Sequence, residues 1–430
     1  MNNNTISVKL WGTEICKLEW RGGYKTRFGK IGAVVSFSKA YASTPWNLDP
    51  LGPYSTHYYF VREGLSDWCR ATSDEGIPRF LSGSLPDDWG NTVFSAWMAQ
   101  NNLHYTNVNT VHKLAFIGKR GMGALEYEPA DEHPTAEDRL VLEQLYEAAQ
   151  QVQLLRETKS INLDDNPGVN DLIVVGTSAG GMHPKAIISI DWETGDIRSG
   201  QIPLPASYKH YILKFKDVPA WPSAEIEYTY YKMASRSGIE MSPCRILSAG
   251  GENHFLVERF DRADGKKIHM ATLYALAGTV SDYQDALSVC RRLNLPYADR
   301  EQLFRRIVFN YLAGVCDDHD KNTSFLMFPD GTWRLSPAYD ETFTVNLTNR
   351  FLADRHALSL NGKNQGVTRE DLLAFGISND IKDASLIIED VADAVRSFSG
   401  LAEGLEIPAG IKGIIQDYID RECGRGSLQS

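Results

Sequence analysis

The stretch from Asp317 to Asp340 constrains this chain more than any other. It opens with Asp317-Asp-His-Asp-Lys-Asn322 and closes with Tyr339-Asp340. Ahead of it, Phe304, Ile307, Val308, Tyr311, Leu312 and Val315 recur at helical spacing. That period predicts an amphipathic helix over 300–316 that delivers Asp317 at its C-terminal end. Behind Asn322, apolar runs at 324–328 and 332–336 flank Pro329-Asp330-Gly331, the signature of a hairpin whose second strand leads to Asp340. Acidic clusters are usually solvated loops, and Asp317, Asp318 and Asp320 taken alone read that way; the hairpin and the Tyr339-Asp340 pair set this one apart. His319 is expected to pack beneath the loop.

An aspartate, an asparagine five residues on and a second aspartate returned by a hairpin is the layout of a protein-kinase catalytic segment. Phosphoryl transfer needs this set because its catalysis is almost entirely positioning and charge neutralisation. A carboxylate orients and deprotonates a hydroxyl, and hard oxygen ligands hold the two Mg²⁺ ions that shield the ATP phosphates. On this reading Asp317 is the catalytic base, Asn322 and Asp340 are metal ligands, and Lys321 contacts the γ-phosphate.

A length of 430 residues calls for two or three domains. The net charge of −11 argues against a large sequence-independent nucleic-acid surface. No apolar run is long enough to span a membrane, and Met-Asn-Asn-Asn-Thr lacks the basic and apolar regions of a signal peptide. Cysteines at 16, 69, 244, 290, 316 and 423 form no Cys-x-x-Cys pair. They read as buried free thiols of a protein in a reducing cytoplasm rather than as zinc ligands or disulfides.

Residues 1–130 read as a small mixed subdomain with strand character at 8–11 and 57–62. Ser84-Leu-Pro-Asp-Asp-Trp-Gly90 is a turn that opens a helix over 91–100. Gly118-Lys-Arg-Gly-Met-Gly123 reads as a structural turn rather than a phosphate loop, because no helix follows to aim its N-terminus at an anion. Pro134 and Thr135 begin a helix, with Thr135 and Asp138 as a capping-box variant and Leu142, Leu145, Ala149, Val152 and Leu155 as its buried stripe.

Next comes a strand over 171–175, the loop Gly176-Thr-Ser-Ala-Gly-Gly181 and a returning strand over 185–191. Such a unit covers phosphates in kinases, since the backbone at Gly180 and Gly181 can approach an anion closely; an ordinary hairpin turn reads equally well. Lys214 lies in the apolar strand 211–215, where an unpaired ammonium is costly, so it reads as a contact to the ATP phosphates, with snorkelling at a sheet edge as the alternative. Glu227, or its neighbour Glu225, would pair with it from a helix over 228–237. The strand 254–260 ends in Glu258-Arg-Phe-Asp-Arg262, where a kinase has its hinge. Backbone groups at Glu258 and Phe260 would meet adenine, and Asp261 the ribose hydroxyls; a surface ion-pair cluster fits the same spacing. Beyond 263, helices are expected over 279–293, 300–316, 367–376, 384–404 and 408–421, then a polar tail over 424–430.

In this order the pieces resemble the HipA family, the kinase toxins of bacterial HipBA-type toxin–antitoxin modules, over nearly the full length. Leu85-Pro-Asp-Asp-Trp-Gly90 and Gly121-Met-Gly-Ala124 are similar to its N-terminal signatures, and Ser178-Ala-Gly-Gly-Met-His-Pro-Lys185 to its glycine-rich loop. Val257-Glu-Arg-Phe-Asp-Arg262 resembles its hinge. Asp317-x-His-x-Lys-Asn322 and Leu335-Ser-Pro-x-Tyr-Asp340 resemble its catalytic and metal motifs. Pro184 departs from the family's best-known member, which has an acidic residue before the lysine.

The resemblance implies an α+β, two-lobed protein-kinase-like fold divided at 1–130 (an extra N-terminal mixed α/β subdomain), 131–260 and 261–430 (a mainly helical catalytic lobe). It implies ATP- and Mg²⁺-dependent serine/threonine phosphorylation of an aminoacyl-tRNA synthetase, the glutamate enzyme being the best-known target, which halts translation and promotes dormancy. It also implies self-inactivation by phosphorylation of the glycine loop, at Ser178 by residue matching, with Thr177 as the neighbouring alternative. The partner would be a helix-turn-helix HipB-like antitoxin, through which the chain meets operator DNA. Two other functions stay open: a small-molecule phosphotransferase of kinase-like fold, against which the N-terminal domain and the loop serine speak, and a non-catalytic corepressor acting through a DNA-binding antitoxin.

Overall fold

Strand β1 (Thr5–Leu10) buries Ile6, Val8 and Leu10 and leaves the residues between them less covered, the period of two that a one-faced sheet requires. With β2 (Thr13–Thr26), β3 (Gly29–Phe37), β4 (Ser66–Trp68) and β5 (Leu125–Glu128) it forms an antiparallel sheet of order β4-β3-β2-β1-β5. A second sheet has β6 (Lys185–Asp191), β7 (Asp196–Ser199), β8 (Lys209–Lys214), β9 (Cys244–Ala249) and β10 (Glu252–Glu258) in the order β7-β6-β8-β10-β9. Every residue of β6 is buried, so this strand runs through the core rather than over it.

The structure is a computed structural model that describes residues 4–26, 29–68, 75–103, 108–131, 139–158, 167–176, 180–202, 204–349 and 354–425. The chain forms two units. The first holds Met1–Asp217, Leu247–Ala271 and Met327–Thr332; the second holds Val218–Ile246, Thr272–Leu326 and Trp333–Ser430. Residues 1–130 and most of 131–260, separated in the sequence reading, thus fall in one unit, and the helix Ser223–Arg236 falls in the other.

The second unit is mainly helical. Its centre is the helix Tyr297–Ala313, which buries Phe304, Ile307, Val308, Tyr311 and Leu312 as the spacing predicts. It also buries Arg306 and Asn310, so its C-terminal half is enclosed nearly all round. The helix stops earlier than expected, at Ala313, because Gly314 adopts φ +72°. A Cβ there would lie 2.7 Å from Val345 Cγ2 and 2.8 Å from Tyr418 Cε1, so only glycine fits this exit. Helices Tyr283–Arg292, Arg369–Ser378, Ala384–Arg396, Phe398–Leu401 and Ala409–Gly424 fill the expected spans. The expected hairpin is present as Ser324–Met327 and Trp333–Leu335.

Two expected strands are helical. Residues 171–175 belong to the helix Pro167–Val175. A short apolar run reads alike as a buried strand or a buried helix; here Arg120 donates to the carbonyls of Ile173 and Val174, both at 3.0 Å, capping the C-terminal end of a helix. The glycine loop is therefore entered from a helix and left by a strand. Of 57–62, Tyr59–Arg62 is a single helical turn that exposes Tyr58 and Tyr59 together and shows no alternation. The expected capping box at Thr135 and Asp138 lies outside the described residues. Among those described, four of five cysteines are buried and none is in a disulfide, and no helix is long and apolar enough to cross a membrane.

Candidate active site

In the second unit, the exit at Gly314 turns the chain so that Thr344 Oγ1 accepts hydrogen bonds from both Cys316 N, at 2.7 Å, and Asp317 N, at 3.0 Å. The backbone of Asp317 is fixed by this clamp while its side chain stays 65% exposed. Asn322 Nδ2 donates to the Asp317 carbonyl at 2.7 Å, so the loop closes on itself across the motif. Tyr339 donates to the carbonyl of Lys321 at 2.8 Å, bringing the return segment against the loop. Asp340 follows at φ +58°, a left-handed conformation uncommon for a residue with a side chain and concentrated at functional sites. Asp317, Asp318, Asn322, Tyr339, Asp340 and Glu341 line one pocket.

The hairpin that returns Asp340 is anchored independently. Arg334 forks onto Asp299 in the first turn of the helix Tyr297–Ala313, with contacts of 2.7–3.0 Å, and Leu335 N donates to the same carboxylate at 2.9 Å. Ala338 N donates to the Glu240 carbonyl at 2.8 Å. Lys321 is exposed, with Nζ 5.4 Å from the centroid of the Tyr274 ring. His319, expected to pack beneath the loop, has a side chain 40% exposed, and its Nδ1 accepts from Lys321 N at 3.2 Å. Asp318 and Asp320 are not solvated acids. Asp318 is buried, and Asp320 Oδ2 accepts from Val280 N at 3.0 Å.

These residues fit a magnesium ion. Asn322 commits its amide nitrogen to the Asp317 carbonyl, which leaves the amide oxygen as the ligand, and Asp340 supplies a carboxylate; both are hard oxygen donors. Among the described residues no group of three or more His, Cys, Asp or Glu could hold a metal unaided. Magnesium bound by one or two protein ligands completes its shell with waters and substrate phosphates, which suits this donor set.

The first unit holds the other expected site residues. Gly180 and Gly181 have φ of +75° and +89°, as a tight loop requires; Thr177 and Ser178 lie outside the described residues. Trp89 ties this loop to the N-terminal signature: its backbone N donates to the Gly181 carbonyl at 3.3 Å and its indole Nε1 to the Lys185 carbonyl at 2.9 Å. Asp87 caps the helix Asp88–Gln100 by accepting from Gly90 N at 3.2 Å. Burial raises the Asp87 pKa, and the Lys185 charge offsets part of that rise.

Lys185 is a candidate the sequence reading did not single out. The argument that singled out Lys214, a cation in an apolar strand, applies more strongly to Lys185, which is 4% exposed and begins β6 with its Nζ on the Gly180 carbonyl. Lys214 is half-buried, 5.5 Å above the Phe255 ring. The two lysines are direct partners in the β6–β8 register and so share one face of the sheet. Asp87 interacts with the Lys185 charge. Glu225 and Glu227 are both buried on the helix Ser223–Arg236 of the second unit.

Glu258 ends β10 opposite Tyr211, its side chain 3.3 Å from Lys209 Nζ, and Phe260 lies in the turn that follows. Asp261 requires a correction. It is fully buried, and its carboxylate accepts from Arg259 Nε and Nη2, both at 2.8 Å, from Arg262 Nη1 at 2.9 Å and from Gly123 N at 2.6 Å. Burial alone would raise its pKa; the two guanidinium groups outweigh that and hold it far below the carboxylate range. The group is spent on structure and does not face a ribose. The Gly118–Gly123 turn is a structural element, as expected, and serves two elements at once. Arg120 fixes the helix before the glycine loop, while Gly121 and Gly123 dock Arg259, Asp261 and Arg262.

The HipA-like C-terminal domain family matches residues 177–398, and the HipA N-terminal domain family matches residues 6–128. A Sinorhizobium fredii protein named "Putative kinase Y4mE" is 26% identical over 289 residues, covering 62% of this chain and 64% of that protein. A Haemophilus influenzae "Putative kinase" is 28% identical over 211 residues, covering 44% and 60%. The matched stretches span less than two thirds of these relatives' own length. A chain of the Shewanella oneidensis toxin–antitoxin complex of HipA, HipB and operator DNA matches with a TM-score of 0.63 at 16% identity, covering 97% of this chain and 96% of that one. At that identity the likeness is one of fold, and the α+β, kinase-like class expected from the sequence is the one the chain has.

Proposed function

From the premise that the chain belongs to the HipA family, we propose that it is a cytoplasmic, ATP- and Mg²⁺-dependent serine/threonine protein kinase, the toxin of a type II toxin–antitoxin module. The observation that carries this reading is the arrangement of Asp317, Asn322 and Asp340: an open carboxylate on a clamped backbone, beside two oxygen donors on one pocket.

Asp317 accepts the proton of the attacking hydroxyl and orients its oxygen. Asn322 and Asp340 would hold Mg²⁺, which would supply charge neutralisation to the nucleotide's phosphates. Lys321 contacts the γ-phosphate, and Lys214 with Lys185 receives the remaining phosphate charge. Backbone groups at Glu258 and Phe260 face the adenine, while the Asp261 carboxylate is committed to Arg259, Arg262 and Gly123. Phosphorylation of Ser178, or of Thr177 beside it, adds about −1.5 to −2 charge to a loop that serves phosphates, and so repels the nucleotide.

The solved relative is a HipA in complex with HipB and operator DNA, which supports a helix-turn-helix HipB-like antitoxin as partner here, with DNA met through it. A net charge of −11 agrees with weak DNA binding by the chain alone; a gel shift at physiological salt should show no specific retardation without the antitoxin. The target is an aminoacyl-tRNA synthetase.

The test is intact mass and phosphopeptide mapping of the purified chain after incubation with ATP and Mg²⁺, beside Asp317→Ala. One phosphate gained on the 176–185 peptide by the wild type alone is the expected result. Phosphate on a small metabolite instead of on protein would replace this reading with a small-molecule phosphotransferase. An unmodified chain that gains nothing, with a panel of synthetases present, would leave a non-catalytic corepressor.

A further inference from the structure

Asp318 stands beside the proposed base but takes no part in the chemistry above. Its buried carboxylate accepts from Tyr283 Oη at 2.6 Å, His356 Nδ1 at 2.9 Å, Ala357 N at 2.8 Å and Leu358 N at 3.3 Å. Glu341 stands beside the proposed metal ligand Asp340 and is equally buried. Two side chains bridge these acids. Tyr283, from the helix Tyr283–Arg292, also lies 3.0 Å from the amide of Asn310. With its nitrogen turned to Glu341, that amide donates to Oε2 at 2.8 Å and faces Tyr283 Oη with its oxygen, so the single phenol proton is shared between Asp318 and Asn310. One turn earlier on the same helix as Asn310, Arg306 donates to the carbonyl of Ser336, on the segment that leads to Asp340.

We propose that Tyr283 and Asn310 are positioning residues that set the spacing between Asp317 and Asp340 through a buried hydrogen-bonded chain, Asp318–Tyr283–Asn310–Glu341. Two acids meant for one metal–nucleotide centre repel each other until it is filled, and each sits on a separately folded segment. Asp317 follows a helix exit and Asp340 follows a hairpin. Tyr283, Asn310, Asp318 and Glu341 line the same pocket as Asp317 and Asp340, and buried polar groups held to one another rigidify what they join. Catalytic groups need placement to about 0.5 Å, and a 1 Å error costs about 10²-fold. This inference rests on the phosphotransfer reading above.

Tyr283→Phe removes one hydroxyl and keeps the ring beside Tyr311; Asn310→Leu breaks the next link at similar volume, and remains informative if the first variant folds poorly. Turnover is measured with ATP and Mg²⁺, the Mn²⁺ dependence of binding by fluorescence of a non-hydrolysable ATP analogue, and folding by thermal denaturation. The expected result is a kcat lower by about 10- to 100-fold with a smaller change in KM for ATP, and a higher Mn²⁺ midpoint. The double variant should be no worse than either single one, because a chain broken once is broken. Wild-type kcat and Mn²⁺ midpoint in a folded variant, or losses that add in the double variant, would overturn the inference alone. A wild-type chain with no Mn²⁺-dependent nucleotide binding and no turnover would overturn the phosphotransfer reading and this inference with it.

Discussion

In the catalytic segment of the second unit, the carboxylate of Asp317 is 65% exposed while Thr344 holds its backbone. In the turn after β10 in the first unit, Asp261 is sealed from solvent and its carboxylate takes four donated hydrogen bonds. Both acids were read from the sequence as nucleotide-site residues. A side chain that acts on a substrate must keep its lone pairs available, so the fold fixes it through its main chain. A side chain that builds the scaffold spends its lone pairs on neighbours. The same contrast separates Asp317 from Asp318, adjacent in sequence, one exposed and one buried. Accessibility with a clamped backbone is what makes Asp317 the proposed base.

The comparison breaks most readily at Asp261. Asp261→Asn leaves Arg259 and Arg262 buried with the anion gone. A buried pair broken on one side costs about 3–5 kcal/mol, which chemical denaturation of the first unit should read. The pKa of this carboxyl is depressed in the folded chain, so its contribution is complete above the unfolded value of about 3.9 and is lost as pH falls toward the folded value. The gap between wild type and variant is therefore full at neutral pH and narrows below about pH 4. A variant as stable as wild type at pH 7 would mean the cluster is not the scaffold described.

Gly314→Ala probes the other region. The left-handed conformation costs a residue with a Cβ about 1–2 kcal/mol, and crowding Val345 and Tyr418 adds about 1–3. Stability should fall by about 2–5 kcal/mol in sum, and turnover per folded molecule should fall as well, since this exit aims Asp317. A loss of stability with full turnover would separate the exit from the site.

The smallest effect is expected from Trp89→Phe, which removes the indole bond to the Lys185 carbonyl and keeps most of the packing. About 1 kcal/mol is the ordinary worth of such a bond. Faster hydrogen exchange at the start of β6, with turnover nearly retained, would sharpen the view of the first unit as support. An unchanged exchange rate would remove Trp89 from that support.

The helix and hairpin around Asp317–Asp340 were legible because their signals are local: helical period and turn chemistry each act within a few residues. What the sequence concealed depends on distant partners. The run 171–175 is a helix whose end is capped by Arg120, and no pattern inside the run reports that residue. Asp261 changed role because Gly123 and two arginines consume it. Lys185 was within reach of the argument applied to Lys214 but sits at a strand's first position, where a lysine reads as solvated. Tyr283, Asn310 and Glu341 gave one signal only: Arg306 and Asn310, one turn apart, interrupt the apolar face of the central helix.

The most direct test of the contrast is ATP turnover per folded molecule for Asp317→Asn beside Asp261→Asn, at a temperature where both are folded. The account predicts that Asp317→Asn loses about 10²- to 10⁴-fold in kcat at wild-type stability, while Asp261→Asn keeps its KM for ATP and loses stability alone. A stable Asp261→Asn with a raised KM for ATP, or an Asp317→Asn with wild-type turnover, would contradict it.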